Sequence, residues 1–212
     1  MMASDVVGAL CRCADSLFNA TTTDANSALA LDAASVLARA AHAAVIDNEP
    51  QSLNDVRMAS SMADRACADG NLGLAHCLSR ALEDELAMDP SFAVGVIMPR
   101  VIRFNAPIAG ATMDRLAASL GVQDRSDDPE QSAIGVAAAL FDLYNKIEFP
   151  RFFEPANFDL DLIPAMAMAA GRGLHGEGYL ESPPTRQTLI PSTNRRRATI
   201  REGEELFERC FA

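Results

Sequence analysis

The sequence predicts an all-α protein, a multi-helix bundle that forms a single domain over residues 1–212. Hydrophobic residues make up 49% of the chain, aromatic residues make up only 6% and tryptophan is absent, which favours closely packed helices over an aromatic-rich β-sandwich. The apolar residues recur near the helical period of about 3.6 residues. No useful stretch alternates apolar and polar residues as a half-buried strand does.

The first half of the chain is predicted to form five helices, over 5–18, 24–46, 52–68, 72–86 and 89–105. Ser52 and Asp55 resemble a capping box and are expected to open the third helix. Asp89 followed by Pro90 is a typical start for the fifth. Because proline has no backbone N–H to donate, Pro99 predicts a kink or a break inside that helix.

The second half is predicted to form four more helices, over 111–120, from 127 past 144, over 160–170 and over 199–211. Residues 171–198 are rich in glycine and proline and are predicted to form a long loop before the last helix, which Thr199 and Glu202 cap. The helix that begins at 127 is expected to bury one stripe of apolar residues. That stripe comprises Ile134, Ala137, Ala138, Phe141 and Tyr144.

Charge and cysteine content exclude several classes of function. A net charge of -11 and a pI near 4.6 repel phosphates, so we expect no nucleic-acid partner and no membrane partner. The basic run at 195–197 is too short to change this. Five cysteines without a disulfide framework indicate reduced thiols in a cytoplasmic protein. The N-terminus has no basic leader, and no apolar run is expected to reach the length of a membrane span.

Two motifs in the middle of the chain carry a family resemblance. They are Asn71-Leu-Gly-Leu-Ala-His76 and Met98-Pro-Arg-Val-Ile-Arg-Phe-Asn105. Together they resemble the helical C-terminal domain of iron-containing alcohol dehydrogenases, where a Leu-Gly-x-x-His helix carries a metal ligand and a Leu-Pro-x-Val-x-x-Phe-Asn helix follows. Thr193-Asn-Arg-Arg196 is similar to the Thr-Asn-Pro-Arg element before that family's last helix. The resemblance covers nearly the whole chain and implies the fold of that domain.

The family's metal ligands are mostly replaced here. The resemblance aligns its Asp-Ala-Leu-x-His element, which supplies two ligands, with Gly8-Ala-Leu-Cys-Arg12, and its third ligand with His76. The fourth lies in a Pro-His-Gly turn whose nearest match contains Ser91. A divalent iron or zinc ion needs three or four carboxylate or imidazole donors at about 2 Å, and arginine has no lone pair to donate. Only His76 is retained, and we therefore predict no metal site.

Arg12, His76 and Arg80 are the candidate catalytic residues. Arg80 stands where the family commonly has a second histidine close to the nicotinamide and the substrate. The two arginines either form ordinary ion pairs or bind a carboxylate or phosphate ligand, which the guanidinium group matches in shape. His76 is either a satisfied core residue or a proton donor. The candidate partners for the arginines are Asp15, Glu83 and Asp84.

The resemblance also bears on cofactors. Dehydrogenases of this family carry an N-terminal nucleotide-binding α/β domain, and this chain is expected to start where that domain would end. No Gly-x-Gly-x-x-Gly run occurs, and the glycines around His175 have no strand before them, so a surface loop is predicted there. We expect no cofactor site in this chain, and NAD(P) only if a partner supplies the nucleotide-binding domain.

Three hypotheses for the function follow. In the first, the chain is a degenerate helical domain, non-catalytic alone, that acts as a homo-oligomer or with a nucleotide-binding-domain partner. In the second, it is the helical subunit of a split, metal-independent NAD(P)-dependent oxidoreductase acting on an acidic carbonyl or alcohol substrate. His76 would then move the proton while Arg12 and Arg80 offset the developing negative charge. In the third, it is a truncated homolog without a selected function.

Overall fold

A computed structural model describes residues 1–67, 73–123, 126, 128–154, 159–172, 185–190 and 192–211. Over these residues the fold is all-α, as predicted, with nine α-helices and no β-strand. The helices are α1 (Ala3–Phe18), α2 (Asp24–Val45), α3 (Pro50–Ala66), α4 (Leu74–Leu86), α5 (Pro90–Ala109), α6 (Ala111–Ser119), α7 (Pro129–Lys146), α8 (Ile163–Arg172) and α9 (Ile200–Glu208). The sequence expectation for His175 lies outside the described residues, as do residues 173–184 and 191 of the loop predicted over 171–198.

Helices α1 and α5 form the centre of the bundle. Twelve residues of α1 and thirteen of α5 are buried, so neither helix keeps the polar face of a surface helix. Helix α1 packs against α2, α3 and α5, while α5 also contacts α4 and α7. The C-terminal end of α3 and the first turns of α4 and α5 therefore lie next to α1.

Helix α5 runs unbroken through Pro99, so the predicted break does not occur. Proline at 99 cannot donate to the carbonyl of Gly95 four residues earlier. The buried hydroxyl of Tyr144 on α7 donates to that carbonyl instead, at 2.9 Å. The side chain of another helix thus satisfies the acceptor that the proline leaves free.

Two other local expectations were wrong. Helix α3 begins at Pro50 rather than at Ser52, whose hydroxyl instead donates to the carboxylate of Glu49. On α7, Ala137 and Tyr144 are buried as predicted, but the centre of the buried stripe is shifted by one residue and Ile134 is 45% exposed. By contrast, Thr199 caps α9 with Glu202 in the predicted capping box.

The motif that ends at Asn105 and the C-terminal motif over 193–196 meet inside the molecule. The side-chain amide of Asn105 on α5 donates to Asn194 at 3.1 Å, and that of Asn194 donates back at 2.7 Å. The segment around Asn194 also pairs with the end of α1, because the N–H of Arg195 donates to the carbonyl of Phe18 at 2.8 Å. A buried amide pair therefore connects α5 to the C-terminal segment.

Helices α2 and α5 are long and apolar enough to cross a membrane by length and composition, contrary to the sequence expectation. The apolar window of α5 is 72% buried inside the protein and that of α2 is 44% buried. Core helices of a helical bundle meet the same criterion, so this is weak evidence for a membrane span.

Candidate functional site

The structure places Gly8, Arg12 and Ser91 side by side. Gly8 and Arg12 are one turn apart on α1, and Ser91 lies in the first turn of α5. A Cβ atom at Gly8 would lie 2.7 Å from the Oγ of Ser91 and 3.6 Å from Nη1 of Arg12. Three of the four predicted ligand positions therefore converge, and the absence of a side chain at Gly8 makes room for the other two.

His76 is held by a buried carboxylate. Its Nδ1 contacts Oδ2 of Asp15, which follows Arg12 by one turn on α1 and is only 4% exposed. The imidazole itself is 22% exposed. A carboxylate on one ring nitrogen fixes the tautomer and the ring orientation, and leaves Nε2 as the nitrogen that can meet another group.

Gly73 explains why Asp15 can approach His76. It is the N-cap of α4 with an ordinary φ of -69°, and a Cβ atom there would lie 2.6 Å or less from three atoms of the Asp15 carboxyl group. The glycine of the Leu-Gly-x-x-His motif thus leaves space for the carboxylate against the first turn of α4. From the sequence we predict Asp15 only as a candidate partner for the arginines, and not for His76.

Arg12 is paired with Asp64 of α3, which the sequence analysis missed. Its Nε lies 2.7 Å from Oδ1 of Asp64, and the two side chains are 29% and 63% exposed. No local signal could have identified this partner, because residues 12 and 64 meet only through the packing of α1 on α3. The carboxylate of Asp64, which is exposed to solvent, therefore neutralises the guanidinium of Arg12 from its Nε edge.

Arg80 lies apart from this group of residues. Its side chain is 52% exposed and approaches Glu83 at 3.7 Å and Asp84 at 3.8 Å, both on its own helix. Exposed pairs of this type contribute at most about 1 kcal/mol. Glu83 and Asp84 are two of the predicted partners, but no described contact brings Arg80 to Arg12.

The nearby cysteines are protonated thiols. Cys67 donates to the carbonyl of Arg12 at 3.0 Å, and burial raises its pKa to about 11. Burial, followed by the charge of Asp15, raises the pKa of Cys77 to about 12. Metal ions bind the thiolate form, which these environments disfavour.

The donor set does not fit the iron or zinc ion that the resemblance implies. Within the part of the chain that the structure describes, no three His, Cys, Asp or Glu side chains are placed to hold a metal ion. Gly8 offers no donor, and Arg12 brings a positive charge to the place where a cation would sit. His76 is the remaining imidazole, and its Nδ1 is occupied by Asp15.

Comparisons with known proteins agree with the fold. A family profile described as the Fe-containing alcohol dehydrogenase family, C-terminal, matches residues 2–182. A 1,3-propanediol oxidoreductase structure superposes with a TM-score of 0.81 at 21% identity over 99% of this chain and 51% of its own. Alcohol dehydrogenase from Oenococcus oeni gives 0.82 at 14% identity over 100% and 52%. Maleylacetate reductase from Agrobacterium tumefaciens gives 0.72 at 17% identity over 99% and 52%.

The chain therefore spans about half the length of these solved structures. At identities of 14–21% the superpositions carry information on the fold alone. No curated protein sequence matched this chain.

Proposed function

Because this chain belongs to the Fe-containing alcohol dehydrogenase family, we propose that it is an iron-independent helical domain of that family, inactive alone, which acts by assembling with itself or with a nucleotide-binding domain. One observation carries the proposal. The guanidinium of Arg12, paired with Asp64, lies among the positions that correspond to metal ligands. On this proposal, a fixed positive charge takes the place of the metal ion.

Electrostatics supports the iron-free part of the proposal. Two unit charges 4 Å apart interact by about 4 kcal/mol at an effective dielectric of 20, so the guanidinium alone would repel a divalent cation beside it by about 8 kcal/mol, a repulsion that the carboxylate of Asp64 reduces. A single imidazole and a serine hydroxyl offer too few strong donors to offset that repulsion. We infer that Asp64 neutralises Arg12 in the absence of any metal.

The length comparison supports the assembly part. The solved relatives have about as many residues again beyond the region that superposes. A surface that packs against a second domain in those proteins would be covered here by another chain or domain. We further propose that the assembly is cytoplasmic, since none of the five cysteines, all of which the structure describes, forms a disulfide bond, as suits a reducing compartment.

The test is to isolate the native assembly and measure its subunit masses and its metal content. We expect a homo-oligomer or a complex with a nucleotide-binding chain, and iron and zinc far below one per chain. A monomer that contains one tightly bound iron per chain would overturn both parts of the proposal.

A second candidate is favoured by the contact between His76 and Asp15. A buried carboxylate that orients an imidazole is an arrangement suited to proton transfer. The chain would then be the helical part of a metal-independent, NAD(P)-dependent oxidoreductase for an acidic carbonyl or alcohol substrate. The similarity to two solved maleylacetate reductases supports that substrate class by analogy.

This candidate is tested with the native assembly and a His76→Gln variant. If His76 moves the proton, nicotinamide-dependent turnover falls steeply in the variant while the assembly and its affinity for the nucleotide remain. Turnover that is equal in both proteins removes the role of His76. Absence of turnover in the intact assembly leaves the non-catalytic function as the conclusion.

A further inference from the structure

We propose that Arg12 and Ser91 form a binding site for the carboxylate of a small organic acid, with the guanidinium replacing the family's metal as the fixed positive charge. The inference deepens the proposed function, because it requires the site to be free of metal. Its basis is the mismatch between the donor set and a metal ion, together with the placement of two donors around Gly8.

The two side chains converge on one point. Nη1 of Arg12 and Oγ of Ser91 both lie within 3.6 Å of the position that a Cβ would take at Gly8. Every residue with a side chain would collide there, since the nearest approach to Ser91 would be only 2.7 Å. The missing side chain at Gly8 therefore lets Ser91 of α5 pack directly against α1, which brings its hydroxyl close to the guanidinium of Arg12.

Both donors have capacity for a ligand. No described hydrogen bond occupies the terminal nitrogens of Arg12 or the hydroxyl of Ser91, and the buried Nε of Arg12 makes only the ion pair with Asp64. Arg12 is 29% exposed and Ser91 is half-buried, so a small solute can reach them. A guanidinium presents parallel N–H groups that match the two oxygens of a carboxylate.

The guanidinium of Arg12 favours an anion over a neutral ligand. Asp64 neutralises Arg12 from one side only, and at 63% exposure it can move aside. Asp15 is engaged by His76 one turn further along α1. Ser91 also lies in the first turn of α5, a helix of 20 residues whose positive end faces the ligand.

The test uses oxalate as the probe and titration calorimetry on the metal-free protein. Arg12→Gln removes the charge and the fork of donors, and we expect oxalate affinity to fall by about tenfold or more. Ser91→Ala removes one neutral donor and lowers affinity by about threefold to tenfold. Arg57→Gln is the matched control, because Arg57 is exposed on α3 and hydrogen-bonds only Asn54 among the described residues.

Asp64→Asn provides a test in the opposite direction that does not depend on the stability of the Arg12 variant. It leaves Arg12 in place but removes its internal anion, so oxalate binds more tightly than to the unmodified protein. Loss of binding in Arg12→Gln together with tighter binding in Asp64→Asn supports the site. The site is excluded if oxalate does not bind the unmodified protein, or if Arg12→Gln and Arg57→Gln weaken binding equally.

The outcome separates this inference from the proposed function. A metal-free native assembly whose chain does not bind oxalate overturns the carboxylate site alone. Oxalate binding that requires added iron and survives Arg12→Gln overturns the iron-independent function as well.

Discussion

A Gly73→Ala substitution tests whether the Leu-Gly-x-x-His motif owes its glycine to Asp15. The φ of -69° at this position suits alanine, so the backbone contributes no strain. The new methyl group would lie 2.6 Å or less from three atoms of the Asp15 carboxyl group, whereas carbon atoms pack at about 3.5–4.0 Å. Asp15 is 4% exposed and would have to move by about 1 Å or more.

The expected cost has two parts. Overpacking a buried site costs about 1–3 kcal/mol. Weakening the hydrogen bond between His76 and Asp15 costs about 1.5–3 kcal/mol more if that bond is charge-assisted. We therefore expect the free energy of unfolding to fall by about 2.5–6 kcal/mol, measured by urea denaturation followed by circular dichroism.

A double-mutant cycle separates the clash from other effects of alanine. In an Asp15→Ala background the carboxyl group is gone, and Gly73→Ala is expected to cost less than about 1 kcal/mol. Gly135→Ala on α7 is the control, because its Cβ would meet only Val122 at 3.4 Å, and helical alanine is expected to be neutral or stabilising by up to about 1 kcal/mol. An equal cost for Gly73→Ala in both backgrounds would refute the steric explanation.

Three further predictions concern buried polar groups and thiols. Tyr144→Phe removes the donor to the Gly95 carbonyl and should cost about 1–3 kcal/mol in urea denaturation; a change under 0.5 kcal/mol would show that water replaces the hydroxyl. Asn105→Ala leaves the buried amide of Asn194 with fewer partners and should cost about 1–3 kcal/mol, with proteolysis first in the C-terminal segment. Burial raises the pKa of Cys77 to about 12 in the folded protein, so the unfolded chain loses that proton first. Its contribution to stability is intact below about pH 9 and is lost as the pH rises towards 12, so Cys77→Ala should flatten the alkaline fall in melting temperature.

The caps of α5, α7 and α9 could be predicted from sequence because their interactions are local, although the cap predicted for α3 at Ser52 was wrong. Asp89, Asp128 and Thr199 each accept a hydrogen bond from an N–H one to three residues later, so the residues that define the cap are close together in the chain. The rotation of a helix is less local. On α7 the buried face is set by contacts with α5 and α6. The centre of the buried stripe lies one position earlier in the chain than the predicted one.

In the candidate site, too, the positions of the residues could be predicted from the sequence, but their partners could not. The resemblance placed Gly8, Arg12 and Ser91 at corresponding positions, and the structure brings these three together. The partners could not be predicted in the same way. Asp64 reaches Arg12, and Asp15 reaches His76, only through the packing of separate helices. No spacing along the chain encodes those contacts.

The contacts between the end of α1 and the C-terminal segment have a consequence for the order of folding. The Nε of Arg195 donates to the carbonyl of Asn19 across 176 positions of the chain, and Asn105 and Asn194 are separated by 89. Closing loops of this length has an entropic cost that must be met before the contacts form. Helices α1 to α7 can therefore associate early, whereas docking of the C-terminal segment is expected to be a late step. During synthesis, the end of α1 would lack these contacts until the segment around Arg195 has left the ribosome.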